Sequence, residues 1–180
     1  RVRDQWHTMT RTGKAPRLMS HSAEPFVEIH PDDASVAGVA ASDLAVVESG
    51  HGRIVARVAV TLQQKRGSIF VPMHWSEQYA SAGRVDALMS ANVDPISGQP
   101  ELKFTPSRIR RYAALWHAFA VTAVRPPKAV ADYWAVAPLA GGGWRVEFAG
   151  FAEQPDWEAF AATVLPDPEQ KHVERLAYHD

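Results

Sequence analysis

Residues 26–60 read FVEIHPDDASVAGVAASDLAVVESGHGRIVARVAV, and this stretch decides the fold class. Apolar residues alternate with other residues over Phe26–Ile29 and over Arg53–Val60, which is the two-residue period of a β-strand. Residues 43–48 predict a third strand, and the glycine-containing turn at residues 50–52 joins it to Arg53–Val60 as a hairpin. Short strands joined in this way indicate a mainly β domain.

A short helix is predicted between the strand Phe26–Ile29 and the strand over residues 43–48. His30 and Pro31 open it, because proline suits the first helical turn, and Asp32 and Asp33 are favoured at the positive end of the helix dipole. Gly38 can end the helix. Since a helix start explains the paired carboxylates, they do not indicate acid–base catalysis.

Further strands and two long loops flank this stretch. Residues 68–71 and residues 108–112 read as strands, and the second of them closes the domain. Residues 6–22 lack a clean period, and residues 73–103 are mostly loop, a length that is usually either functional or wrongly assigned. Several short strands with one small helix predict a closed or nearly closed β-barrel with helical inserts.

A second unit follows two adjacent prolines, Pro126 and Pro127, which interrupt regular structure. We therefore predict a barrel domain over residues 1–123 and a C-terminal extension over residues 124–180. Residues 116–124 can form one more strand before the break.

The extension itself predicts a hairpin and a helix. Residues 133–137 and 144–148 are joined by three glycines at 141–143, which favours a hairpin. The helix follows Pro155 and Asp156 and ends at Pro166. Its apolar stripe has helical spacing and consists of Trp157, Phe160, Ala161 and Val164.

Composition excludes several classes of protein. The 180-residue chain is 46% hydrophobic, has no cysteine and carries a net charge of −1. These values exclude a disulfide scaffold, a thiolate metal site, a cysteine nucleophile and a cysteine-ligated iron–sulfur cluster, and they give no electrostatic case for nucleic acid. The chain has no apolar run long enough to span a membrane, and we expect no signal peptide. Because it opens directly on Arg1, we expect a piece of a longer protein.

Catalytic motifs are absent from the sequence. It has no nucleophile elbow, no Walker loop and no dinucleotide fingerprint after a strand. The eight histidines show no metal-binding helix spacing. We therefore predict no catalytic residue and no metal site within this chain.

Three segments favour a ligand-binding role over that of an ordinary solvent-exposed surface. Residues 5–12 gather an aromatic ring, an imidazole, three hydroxyls and a guanidinium, which suits a pyrophosphate but also an ordinary polar loop. Residues 72–75 follow an apolar strand and contain Met, His and Trp, as at the mouth of a pocket. A tryptophan that caps the core would give the same pattern. Residues 94–103 form a proline-containing rigid loop, which can position a ligand or simply connect strands.

In this order and spacing, four motifs resemble the C-terminal molybdopterin-dinucleotide-binding domain of the dimethyl-sulfoxide-reductase superfamily, and most closely that of assimilatory nitrate reductases. The motifs are RVRDQWHTMTRTG at residues 1–13, EPFVEIHPDDA at 24–34, SIFVPMHW at 68–75 and DPISGQPELK at 94–103. The resemblance extends from residue 1 to about residue 109. It implies a six-stranded double-psi β-barrel of the aspartate-decarboxylase type, whose two long loops clasp a bis(molybdopterin guanine dinucleotide) cofactor.

The resemblance also implies roles for particular residues. Met73 and His74 fall where the family presents a side chain toward the substrate funnel. Asp86 replaces an asparagine that binds the cofactor in many relatives, and an ionised carboxylate accepts hydrogen bonds but cannot donate them. The implied cofactor-binding residues are Arg1, Gln5, Trp6, His7, Thr8, Thr10, Arg11, Asp86 and Lys103.

By resemblance, the parent protein is a molybdenum oxidoreductase that reduces nitrate to nitrite by oxygen-atom transfer in the cytoplasm. Its expected partners are the iron–sulfur and molybdopterin domains of the same polypeptide, with no nucleic acid and no membrane. The isolated chain should be inactive and should carry no cofactor. Two alternatives stay open: a formate dehydrogenase, which shares the barrel, and a non-catalytic barrel that serves as an interaction module.

Overall fold

Two β-sheets dominate the computed structural model, which describes residues 12–101, 104–127, 131–154 and 156–165. Few and short helices accompany them, so the prediction of a mainly β fold is confirmed. The strands are β1 (Phe26–Ile29), β2 (Leu44–Glu48), β3 (Arg53–Val60), β4 (Ile69–Phe70), β5 (Arg108–Arg111), β6 (Trp116–Thr122), β7 (Tyr133–Pro138) and β8 (Trp144–Gly150). The α-helices are α1 (Pro16–Met19), α2 (Pro31–Ala37) and α3 (Trp157–Val164).

The first sheet has the strand order β4-β1-β3-β2-β5. β1 and β3 are parallel, with Phe26 opposite Arg57, and the other pairs are antiparallel. A parallel pair needs a crossover connection, which α2 and β2 supply. Val27, Ile29, Val47, Ile54 and Val58 lie in an apolar core on one face of this curled sheet, together with residues of α2. The double-psi connection of a six-stranded barrel stays a prediction.

Helix α2 forms where the sequence predicts it, for the predicted reasons. Pro31 begins the helix, and the ring nitrogen Nδ1 of His30 accepts a hydrogen bond from the Asp32 backbone N–H at 3.1 Å. Gly38 ends the helix with φ of 65°, a conformation that glycine adopts without strain. The Asp33 carboxylate accepts from the Gly67 N–H at 2.7 Å, which links the helix to the turn before β4.

The prediction that residues 6–22 form a loop is wrong in the part that the structure describes. Thr12–Lys14 is a 3₁₀ helix, and α1 follows it after a single residue. Proline at the first position of α1 pre-sets the helical φ, and the fully buried side chain of Met19 holds this short element on the core. Elements this short leave no helical period in the sequence.

The long segment between β4 and β5 is anchored over part of its length. Ala80 forms an isolated bridge with Ala135 of β7, and the Val136 N–H donates to the carbonyl of Tyr79 at 2.8 Å. The Val55 N–H of β3 donates to the carbonyl of Ala82 at 2.8 Å. Residues 79–82 therefore run between the two sheets and join them.

The second sheet has the order β6-β8-β7 and contains the predicted hairpin. Both pairs are antiparallel, and Phe119 lies opposite Glu147 of β8. By hydrogen bonding, β6 belongs to this sheet, whereas a domain division between residues 123 and 124 would group it with the first sheet. The division itself stays a prediction.

Helix α3 packs on the second sheet through aromatic side chains. The Phe160 ring lies edge-on to Trp116 at 5.5 Å and to Phe148 at 5.3 Å between centroids. Trp157 meets Trp116 in the same manner at 5.3 Å, and Val164 is buried. The Asp156 carboxylate accepts from the Ala159 N–H at 2.8 Å and caps the helix.

An ion pair accompanies the apolar contact between the sheets. Arg57 of β3 donates to both carboxylate oxygens of Glu24, at 2.9 and 3.0 Å, and to the carbonyl of Ser42 at 2.9 Å. Tyr133 of β7 donates its hydroxyl to Glu24 at 2.8 Å. Burial, followed by the nearby Glu24 carboxylate, raises the pKa of Tyr133 well above its usual value, so the hydroxyl keeps its proton. The network ties the two sheets together.

None of the helices in the described ranges combines the length and the apolar character that a bilayer crossing requires.

Candidate functional site

Most of the residues predicted to hold the cofactor lie outside the described part of the chain. They are Arg1, Gln5, Trp6, His7, Thr8, Thr10, Arg11 and Lys103. Asp86, Met73 and His74 are described, together with the last residues of the N-terminal motif and most of the loop over residues 94–103.

The N-terminal motif enters the described structure at a tightly packed point. Thr12 and Gly13 are buried. A Cβ atom on Gly13 would lie 2.4 Å from the ring of Tyr79, so only glycine fits against this ring. The guanidinium of Arg125 covers the same ring at 5.3 Å from its centroid. This packing fixes the position of the C-terminal end of the predicted phosphate-binding loop.

Residues 72–75 divide between the core and the surface. Trp75 is buried, which bears out the core alternative for that ring, whereas Met73 is about half exposed and His74 is partly buried. The indole Nε1 of Trp75 is buried and has no hydrogen-bond partner among the described residues. An unsatisfied buried donor costs free energy, and none of the described residues offsets that cost here.

Asp86 lies on the 3₁₀ helix Val85–Leu88 with an exposed side chain. The Nε of Arg84 approaches its carboxylate at 3.1 Å. The helix itself is pinned to the β2–β3 hairpin, because a Cβ on Gly52 would lie 2.4 Å from the carbonyl oxygen of Ala87. A carboxylate already paired with arginine can accept further hydrogen bonds but offers no donor to a ligand.

The loop that begins at Asp94 is ordered by its own hydrogen bonds. Asp94 Oδ1 accepts from the backbone N–H groups of Ile96 and Ser97, at 3.1 and 2.7 Å, and from the Ser97 hydroxyl at 2.9 Å. The Gly98 N–H donates to the carbonyl of Asp94 at 2.9 Å. Ile96 is almost fully exposed at the tip. The loop is therefore preorganised although it buries little, which agrees with a rigid loop that presents groups to a neighbour.

We predict that Asp94 keeps its loop in order only while its carboxylate is ionised. The backbone N–H of Ser97, then the Ser97 hydroxyl and the Ile96 N–H, hold the pKa of Asp94 below its usual value. A lowered folded pKa means that the stabilisation is present above the unfolded pKa of about 3.9 and is lost as the pH falls through the folded pKa. Carboxyl NMR should show an acid-shifted titration of Asp94, and Ser97→Ala should move it back toward the usual value. An Asp94 pKa at or above the usual value would contradict this.

Sequence patterns missed the Glu24–Arg57–Tyr133 network. One signal was available, because Arg57 interrupts the apolar face of β3 that also carries Val55, and a charge on a core-facing position implies a buried partner. Its partner Glu24 lies 33 residues earlier, which no local pattern can identify.

A cleft of about 250 Å³ lies between β6 and the first sheet. Its lining residues are Ser42, Asp43, Arg57, His117, Ala118, Phe119 and Glu147, none of which is among the predicted cofactor residues. No three His, Cys, Asp or Glu side chains of the described ranges converge closely enough to hold a metal ion. The predicted cofactor-binding residues are thus different from the residues that line this cleft.

The described residues supply only part of the predicted cofactor-binding surface. The loop rich in hydroxyl and guanidinium groups ends at a fixed point, Gly13. Asp86 adds an exposed acceptor.

These features define a cofactor-binding β domain, and residues 1–106 match the family described as "Molydopterin dinucleotide binding domain". The chain belongs to this family, as the resemblance implied. It is 43% identical over 157 residues to a nitrate reductase from Klebsiella oxytoca, covering 87% of this chain and 18% of that protein.

Two further relatives match over shorter stretches. An assimilatory nitrate reductase catalytic subunit from Bacillus subtilis is 32% identical over 109 residues, covering 61% of this chain and 15% of the relative. An F420-dependent formate dehydrogenase subunit alpha from Methanocaldococcus jannaschii is 33% identical over 111 residues, covering 62% and 16%. The chain thus spans less than a fifth of the length of the relatives it matches.

A solved structure supports the fold. Acetylene hydratase from Pelobacter acetylenicus superposes with a TM-score of 0.52 at 18% identity, covering 61% of this chain and 17% of that one. At this identity, the likeness concerns the fold alone.

Proposed function

We propose that this chain is the cofactor-binding C-terminal domain of a molybdenum nitrate reductase that reduces nitrate to nitrite in assimilation. The observation that carries the proposal is the 43% identity to the Klebsiella oxytoca nitrate reductase. A match of 157 residues in a 180-residue chain must include β6, β7 and β8, which lie beyond the family domain at residues 1–106. The likeness to a nitrate reductase therefore extends past the part shared by the whole family.

The proposed cofactor is bis(molybdopterin guanine dinucleotide), which when bound supplies the molybdenum chemistry of oxygen-atom transfer with two electrons. Arg1, Gln5, Trp6, His7, Thr8, Thr10 and Arg11 would hold its phosphates and pterin, with Lys103 and Asp86 as further contacts. Gly13, packed against Tyr79, gives their loop a fixed end. An anchored end lowers the conformational entropy that such a loop loses when it binds an anion.

Met73 and His74 would line the path of the substrate anion. Both follow the partly buried strand β4 and precede the buried Trp75, which anchors this segment to the core. An imidazole on such a path can attract or hydrogen-bond nitrate without taking part in the redox step. We further propose that the iron–sulfur and molybdopterin domains of the same polypeptide enclose the cofactor, and that the enzyme is cytoplasmic.

A formate dehydrogenase is the second candidate, because the Methanocaldococcus jannaschii formate dehydrogenase subunit is 33% identical. The full polypeptide that contains this chain should be purified with its cofactor and assayed with reduced viologen and nitrate, and separately with formate and oxidised viologen. Nitrite formation without formate oxidation is the expected result. Formate oxidation without nitrite formation would replace the proposal with the second candidate. The 180-residue chain alone should produce no nitrite.

The cofactor contacts are testable without measuring turnover. Arg11→Ala and Lys103→Ala in the full polypeptide should lower the molybdenum and the guanine nucleotide recovered per polypeptide. Lys14→Ala is the matched control, since Lys14 is exposed and lies three residues after Arg11. If Arg11→Ala and Lys103→Ala both retain a full complement of cofactor, these two assignments are wrong.

A further inference from the structure

The backbone of Tyr79 is fixed between neighbouring segments. Its N–H donates to the carbonyl of Ser76 at 2.9 Å, and its own carbonyl accepts from the Val136 N–H of β7 at 2.8 Å. The side chain is only 7% exposed and belongs to the core that the second sheet shares. With the backbone fixed, the place of the ring depends on its side-chain rotamer and on what packs against it.

Gly13 meets the end of the Tyr79 ring that lies farthest from the backbone. A Cβ atom on Gly13 would lie 2.4 Å from Cζ and from the hydroxyl oxygen, and 2.9 Å from Cε2. A small rotation about the Cα–Cβ bond of Tyr79 displaces these atoms most, and a close-packed interior has no room for such a shift unless a neighbour moves. The position of Gly13 therefore depends on the rotamer of Tyr79.

Arg125 restrains that rotamer. Its guanidinium lies 5.3 Å from the ring centroid of Tyr79 and 5.1 Å from that of Trp144, and it donates a hydrogen bond to the carbonyl of Gln78. A planar guanidinium can lie over aromatic faces and still donate in its own plane, which an ammonium group does less well. Because Trp144 is on β8, Arg125 links the Tyr79 ring to the second sheet.

The backbone that carries Arg125 is itself restricted. The buried Pro126 follows it, and a residue before proline is largely confined to extended conformations. On the other side, the buried hydroxyl of Thr122 donates to the carbonyl of Val124 at 2.6 Å. The guanidinium therefore reaches the Tyr79 ring from a constrained segment of the chain.

We propose that Arg125 is a positioning residue for the molybdopterin dinucleotide cofactor. It acts through Tyr79 and Gly13, which set the place where the predicted cofactor loop ends. The proposal rests on the proposed role of residues 1–11 in binding the cofactor. Arg125 lies outside the family domain at residues 1–106 but within the stretch aligned to the Klebsiella oxytoca nitrate reductase. The match to the family domain therefore does not identify it.

Cofactor retention by the full polypeptide tests this role. Arg125→Ala should lower the molybdenum and the guanine nucleotide retained per polypeptide by about three-fold, in line with the loss of one cation–π contact. Arg125→Lys keeps a positive charge near the rings and should restore part of the loss. Arg145→Ala is the matched control, since Arg145 is a half-exposed arginine of β8 that pairs with Glu147. No loss in Arg125→Ala, or an equal loss in Arg145→Ala, would overturn the proposal.

Arg11→Ala separates this proposal from the proposed function on which it rests. Loss of cofactor from both Arg11→Ala and Arg125→Ala is the expected result. Loss from Arg11→Ala alone would leave the loop assignment standing and overturn the positioning role. Loss from Arg125→Ala alone would mean that Arg125 acts by a route other than this loop, which also overturns the proposal. Full retention by both variants would overturn the loop assignment and the positioning role together.

Hydrogen exchange locates the effect within the chain. In the full polypeptide with its cofactor, Arg125→Ala should speed exchange of the amides in residues 13–19 by about three-fold, because local opening becomes easier there. One reporter is the Ala15 N–H, which donates to the carbonyl of Thr12 at 2.9 Å. Exchange in β1, whose buried residues belong to the other apolar core, should not change. Unchanged exchange in residues 13–19, or an equal increase in β1, would overturn the proposal even if the cofactor content fell.

Discussion

Replacing Glu24 with alanine should lower the free energy of unfolding by about 3 kcal/mol. The Glu24 carboxylate accepts two hydrogen bonds from Arg57 and one from the Tyr133 hydroxyl. The side chains of Glu24 and Arg57 are only 16% and 23% exposed, so water cannot fully replace the lost partner. Removal of one member leaves a largely buried guanidinium uncompensated, and that penalty exceeds the net value of the pair itself.

Chemical denaturation of the variant and of two controls measures this effect. Glu48→Ala removes another paired carboxylate, but Glu48 and Arg110 lie 3.9 Å apart and are 48% and 52% exposed, so the expected loss is below about 0.5 kcal/mol. Tyr133→Phe removes one hydrogen bond and should cost about 1 kcal/mol. If Glu24→Ala costs no more than Glu48→Ala, the network does not hold the two sheets together.

Phe160→Ala should lower the free energy of unfolding by about 2–3 kcal/mol, less than for a fully buried ring because Phe160 is only partly buried. The ring contacts Trp116, Phe148 and Trp157 at centroid distances of 5.3–5.8 Å, so its loss removes the centre of the contact between α3 and the second sheet. An eight-residue helix is not stable alone in water. Proteolysis near residues 152–154 should therefore accelerate together with the loss of stability.

The same substitution at Phe104 is the control for this prediction. Phe104 is 72% exposed, and Phe104→Ala should change stability by no more than about 0.5 kcal/mol. Equal effects at the two positions, or unchanged proteolysis of the Phe160 variant, would mean that α3 is not packed as the structure shows.

Local signals in the sequence predicted those elements whose cause is local. Alternation identified β1 and β3, and Pro31 with Gly38 bounded α2. Pairing across long separations could not be predicted in this way. No pattern indicates that residues 79–82 bridge the sheets, or that β6 joins β8 rather than the barrel, because both outcomes depend on contacts between distant segments. The helical turns between Thr12 and Met19 are too short to leave a period.

The candidate site was predictable chiefly through resemblance. Clustered donors indicated an anion, but the family named the cofactor, and the family match at residues 1–106 supports it. The structure adds what resemblance could not supply. Trp75 turns into the core while Met73 remains half exposed, and Asp86 is engaged by Arg84. A side-chain ion pair two residues apart depends on the 3₁₀ turn that carries it, which the sequence did not predict.

The ring of Tyr79 lies within a stack that runs from Gly13 to Trp144. Gly13 packs against this ring, Arg125 covers it, and the same guanidinium lies 5.1 Å from the ring centroid of Trp144 on β8. The C-terminal end of the predicted cofactor loop is therefore braced by residues of the predicted C-terminal extension. A truncated chain that ends before Arg125 would keep every predicted cofactor residue yet lose this brace, so we expect it to retain less cofactor than the whole chain.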